Sequence, residues 1–143
     1  MRQIKFRAKI KGGDKFVYGY FFKTLDKRCW IKDVSGNDHL VEEKTVGEKL
    51  DFKDIEGKCI YENDIVDGCE YYWDFKKGLV KFGAFEISLE GRVSDWITCF
   101  GWYIDKISDD DDDHEQISLA EERNIKVIGN RFDNKDLAKL LKE

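Results

Sequence analysis

The side chains able to do chemistry in this chain are four cysteines, two histidines and thirty carboxylates. Cys29, Cys59, Cys69 and Cys99 contain no Cys-x-x-Cys pair, and with two dispersed histidines they do not make zinc spacing. Cys59 or Cys99 would be a nucleophile only with His39 beside it. No Gly-x-Ser-x-Gly elbow or comparable signature supports that arrangement, so buried thiols and a surface imidazole are expected. The run Asp109, Asp110, Asp111, Asp112, Asp113, followed by His114, offers oxygen ligands. Calcium loops, however, space their ligands at alternate positions around a glycine, and this run does neither. Gly12-Gly13 joins two strands instead of opening a helix, so it is no phosphate loop. The expectation is a protein with no catalytic residue, no metal site and no cofactor.

Binding chemistry is better represented. Lys5, Arg7, Lys9 and Lys11 alternate with Ile4, Phe6, Ala8 and Ile10, which places four cations on one face of a strand. Their steps of about 6.6 to 7 Å resemble the phosphate spacing of a single-stranded nucleic acid. Phe16, Tyr18, Tyr20 and Phe22 on the next strand would supply stacking platforms. The plainer alternative makes the aromatics core and the lysines guards of an exposed edge strand. Trp30, Trp73, Trp96 and Trp102 exceed what a core of this size needs, and Trp with Tyr is the anchor chemistry of protein interfaces. Candidate interface or stacking rings are therefore Tyr18, Tyr20, Trp30, Trp73, Trp96 and Trp102.

Charge is distributed unevenly. Residues 1–50 carry 12 basic and 7 acidic side chains, whereas residues 51–143 carry 13 and 23. A basic end and an acidic end favour head-to-tail pairing of copies or a charged host target. The Asp109–Asp113 run is a candidate acidic contact loop, with a solubilising linker as the plainer reading.

The elements that must position these groups are mostly short strands. Residues 4–11 and 15–22 read as a hairpin about Gly12-Gly13-Asp14, and 28–34 as a third strand closed by Ser35-Gly36-Asn37-Asp38. Residues 45–50 form a fourth, Ile55-Glu56-Gly57-Lys58 a turn, and Asp64-Ile-Val66 opens another strand. Gly78 to Phe85 is a strand, residues 86–93 and 96–104 follow, and Ile125 to Ile128 ends at Gly129-Asn130. Residues 69–77 read as strand or packed loop. Asp133 or Asn134 caps a short helix over Leu137, Leu140 and Leu141. The fold class is mainly β: antiparallel strands with a small barrel-like part and a short C-terminal helix. One domain over 1–143 is expected, with a subdomain division near residue 55 as a possibility raised by the charge shift.

Mass and composition agree with one folded domain: 16.8 kDa, 41% hydrophobic and 14% aromatic. No apolar run approaches the ~18 residues of a membrane helix, and the start lacks a signal-peptide core.

Several segments together resemble the YopX family of phage and prophage proteins. They are Met1-Arg-Gln-Ile-Lys-Phe-Arg-Ala8, Phe16-Val-Tyr-Gly-Tyr20, Thr45-Val-Gly47, Gly57-Lys-Cys-Ile-Tyr-Glu-Asn-Asp-Ile-Val66, Gly78-Leu-Val-Lys-Phe-Gly83 and Val127-Ile-Gly-Asn130. Two segments depart from the family pattern. Lys49-Leu-Asp-Phe-Lys-Asp54 lacks a turn glycine, and Asn63 stands for a glycine ahead of Asp64-Ile-Val66; Asn tolerates the left-handed conformation such a turn uses. The resemblance implies a mainly β phage protein in a bacterial host cytoplasm, without an assigned reaction. The expected function is a non-enzymatic binding protein that self-associates and engages a host protein. The alternative is a nucleotide or nucleic-acid binder, including one that sequesters a signalling nucleotide, using an aromatic pocket and the basic N-terminal strand.

Overall fold

The computed structural model describes residues 4–68, 77–88, 96–106, 116–119 and 125–138. It divides into two compact units, Met1–Asp51 and Phe52–Glu143.

The first unit is an antiparallel sheet of β1 (Phe6–Lys9), β2 (Phe16–Lys23), β3 (Cys29–Lys32), β4 (Asp38–Val41) and β5 (Gly47–Lys53), in the order β4-β3-β2-β1-β5. Alternation decides its faces. Ala8, Cys29, Ile31 and Val41 are buried together, with Phe6, Val17, Phe21 and Val46 packed against them. The opposite face carries Arg7, Lys9, Phe16, Tyr18, Tyr20, Phe22, Trp30 and Lys32, by the register Arg7 opposite Tyr18, Lys9 opposite Phe16, Tyr20 opposite Lys32 and Phe22 opposite Trp30. β1 pairs with β2 on one side and β5 on the other, so it is interior to the sheet. Edge protection is therefore not what its cations do. β4 extends the sheet beyond the turn where the sequence suggested an end, because Leu40 and Val41 supply apolar positions opposite Trp30 and Cys29.

The second unit holds β6 (Cys59–Tyr61), β7 (Asp64–Gly68), β8 (Lys77–Ser88), β9 (Trp96–Lys106), β10 (Gln116–Ser118) and β11 (Ile125–Asn130). Five of these form an antiparallel sheet in the order β10-β9-β8-β7-β11. Ile60, Ile65, Val66, Leu79, Val80, Ile104, Leu119 and Ile125 are fully buried, and they make the core of this unit. The expected left-handed Asn63 is found with φ 74°, immediately before β7. β8 and β9 pair without interruption from Gly78 opposite Lys106 to Ser88 opposite Trp96. Midway along this ribbon Gly83 faces Gly101, with φ of 149° and 152°. A Cβ at either would meet nothing within 4 Å, so the backbone angle and not crowding demands glycine there. The sheet curls: the Glu86 N–H, on β8, donates to the side-chain oxygen of Gln116, on β10 two strands away, at 2.9 Å.

A four-residue helix α1 (Lys135–Ala138) follows β11. Asn134 turns its side-chain oxygen back to the Asn130 N–H (3.1 Å), and Leu140 and Leu141 lie outside the described residues.

Candidate functional site

Among the described residues, two faces carry the exposed rings, one in each unit. On the first sheet, Arg7 lies with its guanidinium carbon 4.5 Å from the Phe16 ring centroid, and the Lys9 ammonium is 5.2 Å from the same ring. Both cations are buried, at 6% and 8% exposure. Lys5 is half-buried, and of the four candidate anion-binding residues only Lys11 is exposed. The structure thus places Arg7 and Lys9 on one face as the alternation requires, but under rings.

Tyr18 and Tyr20 are half-exposed, so they are not core. At the far end of this face Phe22 stacks on Trp30 with centroids 6.3 Å apart and planes 9° from parallel, and Arg28 covers the other ring partner at 5.4 Å from Trp30. The Trp30 indole N–H donates to the Thr24 hydroxyl at 3.3 Å. That hydroxyl donates to Asp26, and the Arg28 Nε donates to the same carboxylate at 2.6 Å. Thr24 first and Arg28 second hold the Asp26 carboxyl down to about 2. These contacts tie the end of the ring row to the 24–28 turn.

The second face is the outer side of the β8–β9 ribbon. Alternation and register put Phe82 and Trp102, Ala84 and Phe100, Glu86 and Thr98, and finally Trp96 on that side. Phe82 packs edge-on against Phe100 (5.3 Å) and Trp102 (4.9 Å). Phe100 is 76% exposed, Trp96 50% and Phe82 48%. Among the described residues, no cation is interleaved with these rings. Between Phe52, Phe85, Phe100, Trp102 and Leu119 lies an open apolar pocket of about 250 Å³. On the reverse side Phe85 stacks on Tyr103 at 5.0 Å, and Tyr103 is buried, so burial and the neighbouring Asp105 push its phenol pKa up.

Of the candidate interface rings, Trp96 and Trp102 share this second face, while Tyr18, Tyr20 and Trp30 share the first. Trp73 and the acidic loop Asp109 to Asp113 lie outside the described residues, as does Cys69. Cys29 is buried and Cys59 and Cys99 are half-buried, all as free thiols. The His39 Nε2 pairs with the Asp33 carboxylate at 2.8 Å. Among the described residues no cluster of three His, Cys, Asp or Glu side chains is placed to hold a metal ion. Phe82 and Phe100 were missed in the sequence. The signal was present in Trp96-x-Thr98-x-Phe100-x-Trp102, whose alternating positions share one side of a strand.

A model of one protein family, described as "YopX protein", matches residues 5–139. The chain belongs to the YopX family. No curated protein and no solved structure matches it. For this YopX chain the match runs through both units, so both ring faces lie inside the family region. None of the described helices is long and apolar enough to cross a membrane.

Proposed function

We propose that this YopX chain is a phage- or prophage-encoded binding protein without catalytic activity, which self-associates and contacts a host protein through the outer ring face of β8–β9. The observation that carries this reading is the contiguous set Phe82, Phe100 and Trp102, extended along the strand by Trp96, with no cation among the described residues interleaved. Folded proteins seldom leave such a patch to water, and aromatic side chains clustered on one face are the usual anchors of protein interfaces. The nucleic-acid alternative needs cations that reach phosphate. Burial of Arg7 and Lys9 beneath Phe16 removes two of the four, which weighs against it.

The test is sedimentation equilibrium of the wild type and of a Phe82→Ser, Phe100→Ser double variant, with circular dichroism to confirm folding. We expect association of the wild type at micromolar concentration, weakened at least tenfold in the variant. A single 16.8 kDa species of the wild type at high protein concentration overturns the reading. So does a salt-sensitive, micromolar affinity of the wild type for single-stranded DNA.

A further inference from the structure

The two units carry the same strand order. In the first, β1 to β4 run as a meander, and β5 returns to lie against β1 on the side away from β2. In the second, β7 to β10 run as a meander, and β11 returns to lie against β7 on the side away from β8. Every one of these pairings is antiparallel. Consecutive strands are neighbours more often than not, so a fifth strand would ordinarily extend the meander at its far end. Both units instead send it back to the first.

The likeness extends to the residues of the second and third strands. β2 carries Tyr18-Gly19-Tyr20-Phe21 and β8 carries Phe82-Gly83-Ala84-Phe85: a ring, a glycine, one further residue and a phenylalanine. The two glycines have φ of 154° and 149°, a backbone angle that residues with a Cβ rarely adopt. The ring before each is half-exposed, Tyr18 at 50% and Phe82 at 48%. The phenylalanine after each lies on the buried side: Phe21 packs against Ala8, Cys29, Ile31 and Val41, and Phe85 is buried. With the glycines matched, Tyr20 opposite Lys32 takes the place of Ala84 opposite Phe100. The first strands differ in register: Phe6 of β1 faces Gly19, whereas β7 pairs with Lys77 to Leu79 and stops short of Gly83. Of the matched four residues only the glycine and the phenylalanine are identical, so the sequence shows no repeat.

We infer that the two units are tandem copies of one five-stranded architecture, each made complete by the pairing of its own first and fifth strands. This goes beyond the binding reading and holds whatever the ring face contacts. It also gives that face a counterpart. The outer side of β8–β9 is the second copy's version of the β2–β3 face, with Phe100 standing where the first copy carries Lys32. Lys32 is paired with Asp38 at 3.2 Å, whereas Phe100 is 76% exposed. One place in the architecture thus holds a paired cation in the first copy and an exposed ring in the second.

Native-state hydrogen exchange of the full chain in rising urea, followed residue by residue by NMR, tests this. A copy that is complete in itself opens as one unit, its fifth strand together with its first. We expect the protected amides of the wild type to fall into two groups by exchange rate and urea dependence, β1 to β5 in one and β7 to β11 in the other. Ile31→Val, in the core of the first unit, should speed exchange about fivefold in β1 to β5 and leave β7 to β11 unchanged. Ile65→Val, in the core of the second, should do the reverse. The decisive reporter is the Lys49 N–H, which donates to the Lys5 carbonyl at 2.8 Å, because β5 runs past the boundary between the units. If Lys49 follows Ile65→Val and not Ile31→Val, the first unit lacks its fifth strand and the correspondence falls. A single group of amides, in which both substitutions speed every strand alike, also overturns it. Should either variant fail to fold, the grouping in the wild type alone decides.

Discussion

The two ring faces differ in what lies beneath and beside their aromatics. On the first sheet, rings alternate with cations, and the cations are covered: Arg7 and Lys9 pack against Phe16 and are almost out of solvent. On the β8–β9 ribbon, ring touches ring, no charged side chain among the described residues lies between them, and Phe100 is 76% exposed. The first unit carries 12 basic and 8 acidic residues and the second 13 and 22, yet the apolar face belongs to the acidic unit. Among the described residues, Glu86 shares that side of the ribbon with the rings, so net charge does not mark where the exposed rings lie. On the first sheet it is the cations that are covered, while Tyr18 and Tyr20 are about as exposed as Phe82 and Trp96 on the second.

The same contrast holds at the turns. Thr24–Arg28, Asp33–Asn37 and Asp54–Lys58 share one backbone pattern: the fourth residue donates to the first carbonyl, and the first N–H donates to the fifth carbonyl. In the latter two the aspartate Oδ1 also accepts from the residues two and four positions on. Asp33 gives its second oxygen to half-exposed His39, and this contact first, then the N–H of Asn37, lowers its carboxyl pKa. Asp54 gives its second oxygen to the buried Val127 N–H at 2.9 Å. Burial raises the Asp54 carboxyl pKa, but the N–H groups of Val127, Lys58 and Glu56 outweigh it, and the net direction is down.

Asp54→Ala should therefore show the largest effect. It strands three backbone donors in or near the core and should cost about 3–5 kcal/mol in urea unfolding, whereas Asp33→Ala should fall well short of it. The pH dependence has a fixed sign. A carboxyl whose folded pKa lies below its unfolded value of about 3.9 stabilises above that pH, and the stabilisation is lost as pH falls through the folded value. Both Asp54→Ala and Asp33→Ala should flatten this acid limb, read from urea unfolding across the acid range; an unchanged limb in either variant would remove that carboxylate from the account.

Next in size is Arg7→Ala, at about 2–3 kcal/mol, because the guanidinium and its stem are packed against Phe16. Lys11→Ala, on an exposed residue, should stay within about 0.5 kcal/mol. If both changes were equally mild, the first ring face would be an open surface like the second, and the comparison would fail. The smallest effect is a gain. Lys27 adopts φ 69° where Gly36 and Gly57 occupy the corresponding position of the other two turns. Lys27→Gly should stabilise by about 0.5 kcal/mol, relief of the left-handed backbone exceeding the added freedom of the unfolded chain.

Much of this architecture was legible in the residues. Alternation marked β1 and β2, the Gly36 and Gly57 turns were visible, and Asn63 sits in the left-handed conformation its type allows. Pairing partners were not legible. Local pattern states that a strand has two faces but not which neighbours it has, so β1 read equally well as an edge strand until β5 was placed beside it. The first face was visible as a row of rings and cations, but burial of Arg7 depends on packing across strands. The second was obscured because local pattern ends a strand at Phe85 and starts another at residue 86, whereas β8 runs on to Ser88 and pairs along its length with β9. Short strands such as β6 and β10, of three residues each, are too brief for a period to register.

The opposed glycines have a mechanical consequence. Side chains packed across a two-stranded ribbon resist its bending, and at the Gly83–Gly101 rung neither strand supplies one. Rings from the neighbouring rungs reach across the gap instead: Phe82 meets Phe100 at 5.3 Å on one side, and Phe85 stacks on Tyr103 at 5.0 Å on the other. The bare rung is thus splinted from both sides by aromatic side chains that the absent Cβ atoms leave room for.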